Sequence, residues 1–231
     1  MKPYSHLFFD LDNTLWDFNR NSTEVLEELY YKHNLQALGI ASMKEFISSY
    51  QHRNEMMWEQ YRLGKIDKET LRDRRFALTF WDLGLDPELA PVQLSDDYIT
   101  ISGTKNHLFP HTHEVLEYLS SKYALHIITN GFEESQQKKM KLCDLDRYFQ
   151  NVIISEHTGF RKPDVRIFRY ALECVQTTTD ECLMIGDGLA VDILGAREAG
   201  WDTLYFNPGR IAHEEKPTFE VDCLSQLLTI L

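Results

Sequence analysis

From residue 111 onward the chain alternates short apolar runs with amphipathic stretches, and this alternation limits the possible folds more than any other feature of its 231 residues. Residues 124–129 (Ala-Leu-His-Ile-Ile-Thr), 151–155, 181–185 and 203–206 read as strands, while 111–122, 133–143, 164–175 and 189–199 carry helical spacing. Strands separated by helices of this length build βαβ units and a parallel sheet. The run His6-Leu7-Phe8-Phe9 adds a short buried strand at the start. The predicted architecture is α/β, with a Rossmann-like parallel-sheet core made from the first strand and the C-terminal half.

Between them the rhythm changes. Residues 21–105 are helical in pattern, with Leu26, Leu29 and Tyr30 at i, i+3, i+4 and a later cluster of Phe46, Tyr50, Met57 and Tyr61. Asp67, followed by Thr70 and Leu71, reads as the N-cap of another helix, and Gly64, Gly84 and Pro87 punctuate the series. No strand is expected there. The predicted domains are a core of residues 1–15 and 106–231 and an all-helical insertion of residues 16–105. The spacing of Trp58, Tyr61 and Trp81 favours core packing over an exposed stacking role.

A formal charge of −12 disfavours a nucleic-acid polymer or an anionic membrane as partner, since both call for a basic surface. A small anionic substrate stays open, because a bound cation and one lysine can reverse the local sign. Cys143, Cys174, Cys182 and Cys223 form no CxxC pair and no zinc spacing, which fits a reducing compartment. With no charged leader and no apolar run near ~20 residues, the expected location is cytoplasmic. Monomer and homodimer are both open.

Four short segments bring together chemistry-bearing residues: Phe9-Asp10-Leu11-Asp12-Asn13-Thr14, Thr129-Asn130-Gly131, Lys162-Pro163-Asp164, and Gly186-Asp187 with Asp192 five residues on. Three directly follow apolar runs, and strand ends are where an open α/β sheet places reactive side chains. A carboxylate can attack phosphorus and split one hard hydrolysis into two steps. A second carboxyl can protonate the departing oxygen and then deprotonate water. Backbone N–H groups of the Leu11–Asn13 turn, the Thr129 hydroxyl and the 130–131 turn can hold phosphoryl oxygens. Lys162, beside a proline that fits a helix start, can neutralise them. Taken singly, each segment also reads as a capped turn or a surface lysine. Gly186-Asp187-Gly188 superficially suggests a dinucleotide site, but Val191 occupies the third glycine position and Asp187 would repel a pyrophosphate.

In this order the segments resemble the phosphatase branch of the haloacid dehalogenase superfamily, in the class with a helical C1-type cap. The resemblance implies Asp10 as nucleophile and Asp12 as acid and base, with Thr129 and Lys162 completing the catalytic set. It also implies phosphate contacts from Leu11, Asp12, Thr129, Asn130, Gly131 and Lys162. Asp10, Asp187 and the backbone carbonyl of Asp12 would bind Mg²⁺, with Mn²⁺ an alternative. Asp192 would orient Asp187 or Lys162, Thr14 would fix the loop, and Trp16, Asp17, Phe18 and Asn19 would form a hinge and pocket rim. Thr129-Asn130-Gly131-Phe132, Gln136-Gln137, Ile154-Ser155-Glu156 and Asp192-Ile193-Leu194-Gly195 are similar to the bacterial pyrimidine 5′-nucleotidase subgroup. That implies nucleoside 5′-monophosphates as substrates. Gly188 departs from the subgroup, whose members usually carry Ser or Thr there. Phosphoglycolate and sugar phosphates remain alternatives. A dehalogenase is disfavoured because it does not need Asp12, and a phospho-accepting receiver domain because it would be shorter and lack the helical insertion.

Overall fold

The computed structural model describes residues 4–231. The chain forms two compact units, one taking in the chain up to Phe18 together with Asn106–Leu231, the other Asn19–Lys105.

The first unit is built on a six-stranded sheet: β1 (His6–Phe9), β2 (Ala124–Thr129), β3 (Asn151–Ile154), β4 (Cys182–Gly186), β5 (Asp202–Phe206) and β6 (Phe219–Val221). The spatial order is β3-β2-β1-β4-β5-β6 and every pairing is parallel. Strands β1 to β5 fall within one residue of the sequence reading at each end. Their apolar runs are continuous because both faces are covered. Leu7, Phe9, Ile127 and Ile185 pack into one core with Val115, Leu116 and Leu119 of α5 (Thr112–Ser120). Phe8, Ile128 and Met184 pack into another with Ile167, Phe168 and Ala171 of α8 (Val165–Val175). Each such side chain removed from water contributes about 1.5–3 kcal/mol. Helix α6 (Glu133–Leu142) follows β2, and α7 (Ser155–Thr158) follows β3.

Strand order runs outward from β1 through β2 to β3, then resumes at β4 on the other side of β1. That reversal opens a crevice at the carboxyl ends of β1 and β4, the position at which sheets of this type bind ligands. Phe9 pairs with Ile127 and Ile185, so Asp10 and Gly186-Asp187 emerge at one level.

Two expectations about helices of this unit need correction. Residues 189–199 do not form one regular helix: Leu189–Leu194 is a π-helical turn, and α-helix resumes at α9 (Gly195–Glu198). The Ile193 N–H reaches back five residues to Gly188 O at 3.3 Å, and Gly188 N–H donates to Asp192 Oδ2 at 2.9 Å, so the turn widens around the Asp192 side chain. Pro163 does not open α8; Asp164 is its N-cap, accepting from Arg166 N–H at 2.9 Å, and the proline precedes it.

The second unit contains α1 (Phe18–Lys32, whose first residue belongs to the first unit), α2 (Met43–Arg62), α3 (Lys68–Asp82) and α4 (Leu94–Ser102). Its core joins Val25, Leu26 and Leu29 to Phe46, Tyr50, Phe76, Phe80 and Leu94. Asp67 caps α3 as its sequence implies, accepting from Thr70 N–H at 2.8 Å. Trp81 is not a core residue; it is 65% exposed. No described helix is long and apolar enough to cross a membrane.

Candidate active site

After Phe9 the chain leaves the sheet at Asp10, whose N–H still donates to Ile185 O at 2.9 Å. Asn13 turns the loop with φ of 62°, a left-handed conformation that asparagine tolerates better than most residues. Its N–H is spent on Trp16 O at 2.7 Å. Of the three N–H groups expected to face phosphoryl oxygens, those of Leu11 and Asp12 therefore remain. The Leu11 side chain is fully buried in the core.

Lys162 is the centre of the first cluster. Its Nζ donates to Asp10 Oδ1 at 2.6 Å and to Ile128 O at 2.8 Å, and it lies 2.6 Å from Asp192 Oδ1. Two of its protons are thus donated, and the contact with Asp192 is an ion pair outside hydrogen-bond geometry. The main chain of Lys162 is clamped as well: Asn130 Oδ1 accepts from its N–H and Asn130 Nδ2 donates to its carbonyl, each at 2.9 Å. The side chain of Asn130, placed by sequence among phosphate contacts, is thereby committed to the lysine. On the far side of Asp10, Thr14 Oγ1 donates to Asp187 Oδ1 and accepts from Asp187 N–H, each at 3.0 Å.

Carboxylate oxygens of Asp10, Asp187 and Asp192 lie within 4.8 Å of one another. Three acids share one buried ammonium, so negative charge is in excess. Burial is the main reason the Asp10 carboxyl is pushed up to about 7, against the pull of Lys162. Burial likewise raises Asp187, with Asp10 and Asp192 adding repulsion, while Asp10 and Asp192 hold Lys162 firmly protonated against burial. Asp10 and Asp187 each commit only one carboxylate oxygen to the protein contacts described above. A hard divalent cation taking one or two carboxylates and several waters fits this donor set and its charge. Asp192, tied to Lys162 and the Gly188 N–H, is placed to hold these groups in position.

Glycines mark where side chains press on the turns. A Cβ at Gly186 would sit 2.4 Å from Asp192 Oδ2, and one at Gly188 would sit 2.3 Å from Val191 Cγ2. Here Val191 and Asp192 occupy the space that a hydroxyl-bearing residue at 188 would need.

A second cluster forms around Asp12. Lys139 Nζ lies 2.5 Å from Asp12 Oδ1 and 4.2 Å from the centre of the Trp16 ring. Gln136 Nε2 donates to Asp12 Oδ2 at 2.7 Å and to Thr129 Oγ1 at 3.0 Å. Thr129 Oγ1 also accepts from Gly131 N–H at 3.0 Å. With both lone pairs engaged, what this hydroxyl retains is its own proton to donate. Sequence reading assigned no role to Gln136 or Lys139. Their spacing of one helical turn on α6 is the signal that put them on one face, but a lysine on a charged helix ordinarily reads as solvated. Here it is 7% exposed.

Residues 4–200 match the family of haloacid dehalogenase-like hydrolases. The pyrimidine 5′-nucleotidase YjjG of Escherichia coli is 31% identical, over 97% of this chain and 96% of that one. The pyrimidine 5′-nucleotidase PynA of Streptococcus pneumoniae is 30% identical, over 99% and 95%. The HAD-hydrolase YfnB of Bacillus subtilis is 30% identical, over 100% and 97%. The magnesium-bound crystal structure of YfnB matches with a TM-score of 0.89, covering 99% of each chain.

Proposed function

Because the chain belongs to the haloacid dehalogenase-like hydrolases, we propose that it is a Mg²⁺-dependent phosphatase working through an aspartyl-phosphate on Asp10, with nucleoside 5′-monophosphates as substrates. The observation that carries this reading is the meeting of Asp10, Lys162 and Asp187 in one strand-end crevice, with a second carboxylate at Asp12. The two full-length pyrimidine 5′-nucleotidase relatives support the substrate class.

In this proposal a carboxylate oxygen of Asp10 attacks phosphorus as the bond to the leaving alcohol breaks, and Asp12 gives that oxygen its proton. Water then attacks the phosphorus of the aspartyl-phosphate, Asp12 takes its proton, and Asp10 and inorganic phosphate are released. The Leu11 and Asp12 N–H groups, the Thr129 hydroxyl and Lys162 hold the transferring oxygens, the Gly131 N–H being spent on Thr129 Oγ1. Asp10, Asp187 and the Asp12 carbonyl would hold the divalent cation, which when bound neutralises charge on the phosphoryl group. Electrostatics must do much of the work, since one acid/base group supplies only about 10²–10⁴-fold. The helical unit occupies the place in the chain that a cap takes in this family, and choosing the substrate is its role in the same proposal.

A panel of phosphate esters tests the substrate class. With Mg²⁺ present, UMP, dUMP and dTMP should rank above phosphoglycolate and hexose phosphates in kcat/KM. A sugar phosphate or phosphoglycolate leading by more than about tenfold (about 1.4 kcal/mol in barrier) would overturn the nucleotidase assignment.

A further inference from the structure

The cluster around Asp12 has a feature that core packing does not explain. Gln136 is fully buried and its amide has one workable orientation, because Nε2 faces two oxygens, Asp12 Oδ2 and Thr129 Oγ1. Turning the amide over would set its oxygen against Asp12, which in the ionised form that Lys139 pairs with can only accept. The orientation leaves Gln136 Oε1 buried with no hydrogen-bond partner. Orphaned buried acceptors are uncommon and call for a reason. The turn is also shaped around this side chain, since a Cβ at Gly131 would lie 1.5 Å from Gln136 Nε2. Lys139, one turn further along α6, surrenders most of its hydration to reach the other oxygen of Asp12 across the Trp16 ring.

We propose that Gln136 and Lys139 are positioning residues for Asp12, gripping one carboxylate oxygen each so that the carboxyl group is aimed at the leaving oxygen. Two donors from one rigid helix fix the rotation of a side chain that a single contact would leave free to swing. Gln136 also ties that orientation to the Thr129 hydroxyl, so the proton donor and one phosphoryl-oxygen donor move as a unit. The inference rests on the reading of Asp12 as acid and base.

The test uses the full-length, Mg²⁺-loaded enzyme and a series of aryl phosphates from 4-nitrophenyl to phenyl. 4-Nitrophenolate departs with little need of a proton, whereas phenolate needs one. A correctly aimed acid therefore flattens the dependence of kcat/KM on the leaving group. Asp12→Asn should steepen it. Lys139→Met and Gln136→Leu should steepen it too, losing roughly 10²-fold on phenyl phosphate, the scale of a misplaced group. They should lose about threefold or less on 4-nitrophenyl phosphate if proton delivery alone is impaired. Lys139→Arg should restore most of the loss, and adding Lys139→Met to Asp12→Asn should cost nothing further. Equal losses across the series, or no loss, in variants that keep their thermal midpoint would overturn the positioning role when Asp12→Asn does steepen the series. If Lys139→Met does not fold, Gln136→Leu and Lys139→Arg carry the same test. A flat series for Asp12→Asn would instead withdraw the acid/base reading, and this inference with it.

Discussion

His6 opens β1 and Asp10 follows its last residue, yet the sheet buries the polar groups around them on different terms. At the His6 end, His6 Nδ1 and His126 Nε2 lie 3.0 Å apart, and Asn151 Nδ2 is 3.0 Å from His126 Nδ1. An amide nitrogen only donates, so His126 Nδ1 accepts, its proton sits on Nε2, and that proton goes to His6. The chain of contacts is neutral and satisfied. Burial, with some help from His6, lowers His126 to about 4 and keeps it uncharged. At the Asp10 end, two carboxylates pair with one lysine, a third lies beside them, and carboxylate oxygens are left over. Polar groups that only support the fold close on themselves. The cluster at the carboxyl end stays open, and its unspent charge is what suits it to a cation and a phosphate.

The largest test of this contrast is at the open end. Asp10→Asn should cut Mg²⁺-dependent turnover of 4-nitrophenyl phosphate by on the order of 10⁴-fold or more, with the far-ultraviolet circular dichroism unchanged. Turnover within about tenfold of wild type (about 1.4 kcal/mol) would remove Asp10 from the chemistry.

A smaller effect concerns stability without metal. Folding raises Asp10 from 3.8 to about 7, so the native state keeps a proton that the unfolded chain releases. That stabilisation is complete below pH 3.8 and lost as pH rises through about 7. In EDTA, the stability of wild type minus that of Asp10→Asn, from urea midpoints, should fall across this window. Mg²⁺ at a hundred times its Kd should raise wild-type stability by about 2.7 kcal/mol and abolish the slope. A pH-independent difference with no Mg²⁺ response would mean the acidic cluster is balanced after all.

The smallest effect is at the closed end and has the opposite sign. His126 is lowered from 6.5 to about 4, so its contribution is complete above pH 6.5 and lost as pH falls through about 4. Protonating Nδ1 would also set two donors against each other at Asn151. Wild type minus His126→Gln should therefore rise in stability from pH 4 to pH 6.5, with turnover unaffected. A slope of the other sign would show that the pair is not held neutral.

Much of the first unit was legible because its signals are local. Runs of four to six residues rich in Leu, Ile, Phe and Met announce β1, β2 and β4, and Asp10, Thr129 and Gly186-Asp187 stand where those runs stop. Strand β6 was not legible: Phe219–Val221 is three residues with an exposed glutamate at its centre, and it is a strand only because β5 offers it an edge. The helical pattern of residues 189–199 hid the π-helical turn, whose cause is one side chain folding back on Gly188. Trp81 shows the limit of periodicity, which places a residue on a helix face without saying what covers that face.

Sequence alone determined the α/β class, the helical insertion and which short segments hold acids, a hydroxyl and a lysine, because backbone preference and apolar periodicity act over a few residues. Tertiary structure decided the partnerships. Lys162 and Asp192 are thirty positions apart and Lys139 and Asp12 are separated by 127, yet each pair is in contact. Which ammonium meets which carboxylate depends on how parallel strands stack and where α6 docks. Those are properties of the packed sheet, where desolvation makes each pairing strong enough to matter.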